Sequence, residues 1–479
     1  MATFALLPLP VPVAAQVAPP TRPLAYTRAV LGNGLVVLLN EDHSSPVVAV
    51  EMLYRLGSKD EPAGKTGLAH LCEHLMGEGS PNVTMTKQLL LSVGGSSTSP
   101  TASWAATDED RTHYFYTVPA NQLETALWAE SDRMAAPLTF ANDEHLKSVR
   151  EIVRQERAQN RDGRTFGDAE RLTLDQFFVG QTRYPRDALG PMADLDRTSA
   201  ADAKQFCLPY YVPNNAVLAL SGDFKTADAQ KLVAKYFGSI ARGVVPAHPA
   251  VAPTPLTAER RVVLEDTRAR VPVLRLAWFT AGFSQPDRLA LNALAAMLAP
   301  TDPRMRQLLP GADRAGRLSK LLVYDRQLAT SVSAGNFDME TGGIFQIEVT
   351  PRANAPMGQI ETLVDSVLTD LKAGVIADAE LAPYREATTV IGVTTLQTRG
   401  ARADTLAQGE AFAGDPVAYA KQAARTLRLS PADVRAAAQK YLTNERVVMS
   451  LIPAGKLDLI SKPTLPYTNV TPAKAQVVP

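Results

Sequence analysis

A three-part pattern that occurs twice constrains the fold of this chain more than any other feature. The two copies lie about 230 residues apart, each near the end of its half of the chain. Each copy has a Ser-x-x-Asp helix start, a Tyr-x-x-Asn segment and an apolar strand, at 199–202, 211–214 and 216–220, and again at 430–433, 441–444 and 447–451. Internal repetition of this kind indicates duplication of a structural unit. We therefore predict two related halves.

The segment between the copies has the composition of a linker. Residues 241–257 contain four prolines and no apolar periodicity. The chain has 479 residues, about three times the length of a typical domain. The predicted domains are α+β. Their predicted boundaries are 25–240 for the N-terminal domain, 241–257 for the linker and 258–479 for the related C-terminal domain.

The first residues resemble an export signal. Residues 1–24 are rich in Pro and Ala, and Val13-Ala14-Ala15 has the small side chains of a signal-peptidase site. The segment has no basic residue near its start, and its prolines would break an apolar helix, so a disordered tail is the alternative. We expect a periplasmic or secreted protein, and otherwise a cytoplasmic one.

Composition limits the partners of the chain. Lys and Arg total 49 and Asp and Glu total 49, so there is no basic surplus for nucleic acid or an anionic membrane. No apolar run reaches the ~18–20 residues of a membrane span. Two cysteines, Cys72 and Cys207, are too few for a disulfide framework.

The segment His70-Leu71-Cys72-Glu73-His74 carries the chemistry. On a helix, His70 and His74 are i and i+4, so both rings can reach one ion. Glu73 lies about 60° from His70, on the same face, and Cys72 lies about 200° round on the opposite one. A catalytic zinc takes three protein ligands and a water, and a nearby carboxylate can act as the general base. His43, His113, His145 and His248 are isolated, and we interpret them as ordinary surface or capped histidines.

Glu156 is the predicted third ligand. Residues 142–160 form a predicted helix that begins at Asn142. Its apolar stripe consists of Leu146, Val149, Ile152 and Val153. Glu156 continues this stripe, and a carboxylate on a buried face needs a partner such as a metal. The other charged residues considered, Glu144, Glu151 and Arg157, are assigned to the solvated face.

These segments resemble the inverzincin peptidases of the pitrilysin/insulinase family. The likeness covers most of residues 30–245 and extends more weakly over the second half. It rests on 67–74, 94–96, 110–112, 126–128, 132–134, 150–157 and 211–217. The closest subgroup is the short bacterial two-domain members, including subunits like those of processing peptidases.

The resemblance implies one Zn²⁺ per chain, held by His70, His74 and Glu156, with Glu73 as the general base. It also implies that each half is an α/β sandwich, with helices packed on a mixed or antiparallel sheet, and that the C-terminal domain closes a cleft around a peptide substrate. The usual family spacing would place the third ligand at Glu151. However, about six extra residues between Thr98 and Glu109 move this position to Glu156.

A second departure concerns the partner. Active members use an Arg and a Tyr, seven residues apart, to hold substrate, but Val323 and Thr330 stand at these positions. Tyr324 and Arg326 are close by and are interpreted as surface residues. We therefore expect a heterodimer in which a homologous partner without the zinc motif supplies this pair, with a homodimer as the alternative.

The predicted function is zinc-dependent hydrolysis of peptides or unfolded polypeptides. A non-catalytic assembly subunit of the same fold is the alternative, although such subunits lose zinc-site residues and all four are present here. A redox or metal-binding module built on Cys72 would need a second cysteine close in sequence, and Cys207 is far away.

Overall fold

Two mixed β-sheets, one in each half, organise the chain. The computed structural model describes residues 23–77, 79–99, 103–178, 188–248, 253–300, 314, 316–340 and 342–470. The first sheet contains β1 (Thr27–Val30), β2 (Val36–Glu41), β3 (Val47–Tyr54), β4 (Ser96–Ser97), β5 (Ala105–Thr107), β6 (Thr112–Pro119) and β7 (Ala216–Gly222). The second contains β8 (Arg260–Asp266), β9 (Val273–Thr280), β10 (Ala329–Asp338), β11 (Gly343–Pro351), β12 (Val447–Pro453) and β13 (Thr468–Val470).

Helices cover both faces of these sheets. Those of the first half are α1 (Leu68–Gly77), α2 (Thr86–Ser92), α3 (Leu123–Ala135), α4 (Asp143–Arg157), α5 (Ala169–Phe177), α6 (Met192–Arg197), α7 (Ala200–Cys207) and α8 (Thr226–Phe237). Those of the second half are α9 (Asp287–Leu298), α10 (Arg317–Ser319), α11 (Met357–Ala373), α12 (Asp378–Thr395), α13 (Arg399–Ala413), α14 (Ala418–Leu427) and α15 (Pro431–Tyr441).

Strand order confirms the predicted α+β fold with two related halves. The first sheet has the order β1-β2-β7-β3-β6-β4, with β5 also paired to β6, and the second has the order β13-β8-β12-β9-β11-β10. In the first sheet, β7 is parallel to β2 and antiparallel to β3. In the second, β12 is parallel to β8 and antiparallel to β9. The two strands of the sequence repeat therefore occupy equivalent central positions.

The repeated serines explain why the pattern recurs. Ser199 and Ser430 are the N-caps of α7 and α15, and each hydroxyl accepts a hydrogen bond from the Asp amide three residues later. Each Asp carboxylate accepts in return from the serine amide. These capping boxes fix the helix that leads into each central strand.

Each half also covers the outer face of the other half's sheet. Helix α13 packs Ala403, Leu406 and Ala407 against β2, β3 and β7. Helix α5 packs Leu172 and Phe177 in one apolar cluster with β8 and β12. Because both faces of β7 are covered, every residue of this strand is buried. The position of the linker in the sequence does not predict that the halves exchange these helices.

Several predictions concern the ends and the linker. Among the described linker residues, 241–248 and 253–257, none lies in a helix or strand. Of the predicted signal-like segment, only Pro23 and Leu24 are described, so that prediction lies outside the described residues. Within the described ranges, no helix is both long and apolar enough to cross a membrane.

The expectation for the two cysteines is incomplete. Cys72 and Cys207 form a disulfide with a Cα–Cα distance of 6.0 Å, and both side chains are fully buried. The bond joins α1 to α7 across 135 residues of sequence. Two cysteines are too few for a framework, but a single bond between distant helices needs only two.

Candidate metal centre

Helix α1 presents His70 and His74 on its open face. Leu68, Leu71 and Leu75 are buried on the core side of the helix. A remote carboxylate, Glu61, accepts hydrogen bonds of 2.9 Å from the amides of Gly67 and Ala69. These amides belong to the helix N-terminus and have no partner within the helix. Packing, this cap and the disulfide at Cys72 together fix α1 in place.

The two histidines and Glu156 meet at one point. His70 Nε2 lies 3.1 Å from His74 Nε2, and each lies 3.3 Å from Glu156 Oε2. The structure therefore brings together the three residues that the sequence predicts as ligands. Hydrogen bonds with His70 and His74 hold the pKa of the Glu156 carboxyl well below its usual range, although partial burial opposes this shift.

Glu156 lies on helix α4, which begins after Asn142 as the sequence predicts. Asn142 caps the helix by accepting hydrogen bonds from the amides of Glu144 and His145. Glu151 points to solvent, 3.3 Å from Arg154, which agrees with its predicted position. Two predictions on this helix are wrong in detail.

Ile152 and Arg157 exchange their expected environments. Ile152 is 40% exposed because it faces the cleft beside Glu156 rather than the core. Arg157 is buried rather than solvated, and it donates to Asp162 and to the Gly190 carbonyl. The helix continues into a π-helical turn, residues 158–162, which periodicity alone does not reveal.

Glu73 lies beside the three converging atoms, and its carboxylate has a fixed partner. Thr107 Oγ1 donates a hydrogen bond of 2.6 Å to Glu73 Oε2, and the Tyr114 hydroxyl donates to the Glu73 carbonyl at 3.2 Å. Glu73 is 8% exposed. Sequence reasoning identified Glu73 and missed Thr107, which lies in the predicted extra segment.

A cleft of about 440 Å³ opens next to these groups. Its lining includes Glu73, His74 and Glu156, with Leu90, Trp104 and Ile152 as apolar walls. The charged pair of Glu130 and Arg133 lies at its base. The edge strand β4 pairs with β6 through Ser96 and Ser97, so these residues lie at an edge of the first sheet.

His113 is buried, whereas the sequence predicted an ordinary surface or capped histidine. His113 Nδ1 lies 2.6 Å from Glu51 Oε1 and 4.0 Å from Asp404 Oδ1, in a buried cluster between β3, β6 and α13. Arg111 donates to Asp404 at 2.8 Å. The cluster therefore joins β3 and β6 of the first half to α13 of the second half, and the Arg111–Asp404 ion pair is part of it. Its members come from distant parts of the sequence.

Two of the remaining histidines, and Tyr324 of the predicted surface pair, also contact other side chains. His43 lies between Glu41 and Asp223 at the surface, and His248 contacts Asp60. Tyr324 is 39% exposed, and the Arg314 guanidinium lies 5.1 Å from its ring centre.

Two models of known protein families match parts of this chain. The family model described as insulinase (peptidase family M16) matches residues 36–166, and the model described as peptidase M16 inactive domain matches residues 197–388. The chain belongs to the M16 peptidase family. The M16 model that covers part of the second half is the one described as inactive, and that half contains no histidine.

Relatives within the M16 family include zinc proteases. The chain is 26% identical over 360 residues to zinc protease PqqE of Helicobacter pylori, covering 73% of this chain and 76% of that protein. It is 21% identical over 432 residues to a probable mitochondrial-processing peptidase subunit beta of Arabidopsis thaliana, covering 88% and 77%. A crystal structure of a protease from Helicobacter pylori shares the fold, with a TM-score of 0.79, 22% identity and coverage of 90% and 99%.

Proposed function

We propose that this chain is a zinc endopeptidase in which His70, His74 and Glu156 hold one Zn²⁺ and Glu73 is the general base. The observation that carries the proposal is the size of the ligand triangle. Zinc bonds to nitrogen and carboxylate oxygen are ~2.0–2.2 Å long, so neighbouring vertices of a tetrahedron lie roughly 3.3 Å apart. The three observed separations are 3.1, 3.3 and 3.3 Å.

The donor set fits a catalytic rather than a structural zinc. Two imidazoles and one carboxylate leave one tetrahedral vertex open. The cleft beside His74 and Glu156 gives substrate access to the site. Bound zinc supplies Lewis acidity toward a peptide carbonyl and toward water. Glu73 removes a proton from the attacking water and delivers it to the leaving amine.

The cleft also accounts for how a peptide is held. An extended peptide can add to the free edge at Ser96 and Ser97 through main-chain hydrogen bonds. Leu90, Trp104 and Ile152 then form an apolar wall for one side chain next to the scissile bond. We expect peptides with a large apolar residue there to be hydrolysed fastest.

A second chain completes the proposed enzyme. Val323 and Thr330 cannot supply the charged and phenolic groups that the family uses on its substrate. A homologous partner without the zinc motif would supply them, which gives a heterodimer, and a homodimer is the alternative. The relative named as a processing-peptidase subunit supports pairing with a homologous chain.

A non-catalytic assembly subunit of the same fold is the alternative function. Its support is the description of the second family model as inactive. Against it, the three ligand atoms and the Glu73 carboxylate converge on one cleft. A subunit without catalysis would have no need to retain this arrangement.

An oxidising compartment fits the proposed enzyme. The buried bond between Cys72 and Cys207 is of the kind that persists in the periplasm or outside the cell. Together with the signal-like residues 1–24, it supports an exported protein.

The decisive experiment measures hydrolysis of a quenched fluorescent peptide mixture, with zinc quantified per chain. Wild type and Glu73→Gln are compared alone and together with the protein encoded beside this chain. We expect Glu73→Gln to keep about one zinc per chain and to lose activity by roughly 10²–10⁴-fold. Zinc-loaded wild type that hydrolyses nothing in any mixture would establish the assembly subunit instead.

A further inference from the structure

We propose that Thr107 is a positioning residue for Glu73, whose carboxylate it holds toward the cleft by a direct hydrogen bond. This inference rests on the proposed peptidase function. Its basis is the 2.6 Å contact between Thr107 Oγ1 and Glu73 Oε2. An ionised carboxylate only accepts hydrogen bonds, so the threonine hydroxyl is the donor.

The neighbouring hydroxyl fixes the direction of this hydrogen bond. Thr112 Oγ1 lies 3.1 Å from Thr107 Oγ1 and 2.9 Å from the Leu56 carbonyl, to which it donates. Thr112 is fully buried, so its hydroxyl oxygen lies in a fixed place. This oxygen is neutral, whereas the Glu73 carboxylate, which the Thr107 hydroxyl also contacts, is charged. Hydrogen bonds to a charged acceptor are the stronger ones, and the Thr107 proton therefore stays on Glu73.

The backbone around Thr107 is also rigid. Thr107 pairs with Thr112 across β5 and β6. The turn that joins the two strands is closed by Asp108, whose Oδ1 accepts from the amides of Asp110 and Arg111. Arg111 in turn donates to Asp404 of α13. A β-branched side chain on such a strand has few rotamers, so the hydroxyl is held where Glu73 needs it.

Thr107 belongs to the segment that is predicted to be longer in this chain than in the family. Thr107 lies within residues 98–109, where about six residues exceed the usual spacing of the family. Trp104 of the same segment forms one wall of the cleft. The extra segment therefore contributes both a wall for substrate and a partner for the general base.

The test compares Thr107→Val, which keeps the shape and removes the hydroxyl, with Thr107→Ser, which keeps the hydroxyl. Activity, zinc content and thermal unfolding are measured for both and for Glu73→Gln. Thr125→Val is the matched control, because the Thr125 hydroxyl contacts only Gln122, 3.0 Å away and outside the cleft lining. Crystal structures of the two Thr107 variants report the position of the Glu73 carboxylate without any assay.

We expect Thr107→Val to lower kcat by about 10–100-fold with KM and zinc content unchanged, as loss of a supporting hydrogen bond commonly does. Thr107→Ser should restore kcat to within about threefold, and Glu73 should turn from the cleft only in the valine variant. A kcat unchanged in Thr107→Val, or equally reduced in Thr107→Ser, would overturn the proposal. If the valine variant does not fold, Thr107→Ala decides the same question.

The Glu73→Gln arm separates the two proposals. Activity that depends on Glu73 but not on Thr107 refutes the positioning role and leaves the peptidase standing. If zinc-loaded wild type shows no activity that depends on Glu73, the peptidase fails. In that case a Glu73 carboxylate that stays in place in the valine structure refutes the positioning contact as well.

Discussion

Each half contains a cavity at an equivalent place in its fold, but different side chains line the two cavities. In the first half, α1 follows β3 and presents His70, Glu73 and His74. In the second half, α9 follows β9, and Asn292, Ala295 and Ala296 line a cavity of about 540 Å³. Both cavities lie between the helix that follows the fourth strand in the order of its sheet, β3 or β9, the sheet edge and a later helix, α4 or α12.

The comparison teaches that the fold supplies the cleft and a few side chains supply the chemistry. The second half contains no histidine and no cysteine. The predicted zinc ligands and the disulfide therefore belong to one half of a scaffold that both halves share. Each prediction below tests one way in which the first half differs from the second or depends on it.

The largest expected effect concerns the ligand set of the first half. Glu156→Ala should lower zinc affinity by about 10³-fold or more, which corresponds to roughly 4 kcal/mol, because it removes one of three protein ligands. Glu151→Ala should leave zinc affinity unchanged, because Glu151 points to solvent. Competition with a zinc chelator measures both. Equal losses in the two variants would show that the third ligand was assigned to the wrong residue.

Local sequence patterns named the residues of the candidate site but not the contacts that support them. Helical phase and motif spacing are local properties, and the His70, His74 and Glu156 side chains that they predict as ligands meet in the structure. The Cys72–Cys207 bond and the Thr107 contact join residues that are distant along the chain. No periodicity reports such contacts. An even number of cysteines beside a signal-like N-terminus was the only available clue to the disulfide.

The fold shows the same limit. The repeat predicted two halves. The exchange of α5 and α13 between the halves was missed, because it depends on contacts between residues that are far apart in the sequence. Ile152 was misjudged for a related reason: an apolar residue at the mouth of a cleft has the same helical phase as one in the core.

The second prediction concerns the brace that only the first half possesses. The double variant Cys72→Ala/Cys207→Ala should lose about 2–5 kcal/mol of unfolding free energy, because the bond closes a long loop in the unfolded chain. The loop spans 135 residues. Urea unfolding of the oxidised wild type and the double variant measures the loss.

Reduction provides the control for this prediction. The chain has two cysteines, so a reductant acts on this bond alone. Reduced wild type should unfold near the urea midpoint of the double variant, and the double variant should not respond to reductant. A wild type whose thiols titrate freely and whose midpoint does not move would contradict the stabilising role.

The third prediction tests whether the halves depend on each other. Leu406 lies on α13 of the second half but is fully buried against the first sheet. Leu406→Ala should cost roughly 3 kcal/mol, as loss of a buried leucine commonly does. Leu172→Ala on α5 is the reciprocal variant, packed with the second sheet.

Hydrogen exchange at β7 and β12 distinguishes cooperative from independent halves. If the exchanged helices join the halves into one unit, each variant should accelerate exchange in both strands. Acceleration confined to β12 in Leu406→Ala would show that α13 stabilises only its own half. That outcome would contradict the inferred dependence between the halves, because the stability of the first half would then not depend on α13.

The smallest effect arises where the halves meet. Glu109 lines a cavity of about 230 Å³ with Glu170 and Asp338. Burial, together with the charge of Asp108, raises the pKa of the Glu109 carboxyl from its ordinary value of 4.5 to about 7. The folded protein therefore favours the protonated form. This group costs nothing below pH 4.5, and its unfavourable contribution grows as pH rises toward and through 7.

Glu109→Gln removes this ionisation and should stabilise the protein at pH 8 by about 1–2 kcal/mol, with little effect at pH 4.5. Glu361 of the second half gives the opposite sign. Burial opposes ionisation there too, but hydrogen bonds from Arg261, Lys462 and Ser461 outweigh it and lower the pKa to about 2. Glu361→Gln should therefore destabilise the protein at pH 8. Urea unfolding at both pH values measures the pair, and a Glu109→Gln gain that is equal at pH 4.5 and 8 would show that the carboxyl is not responsible.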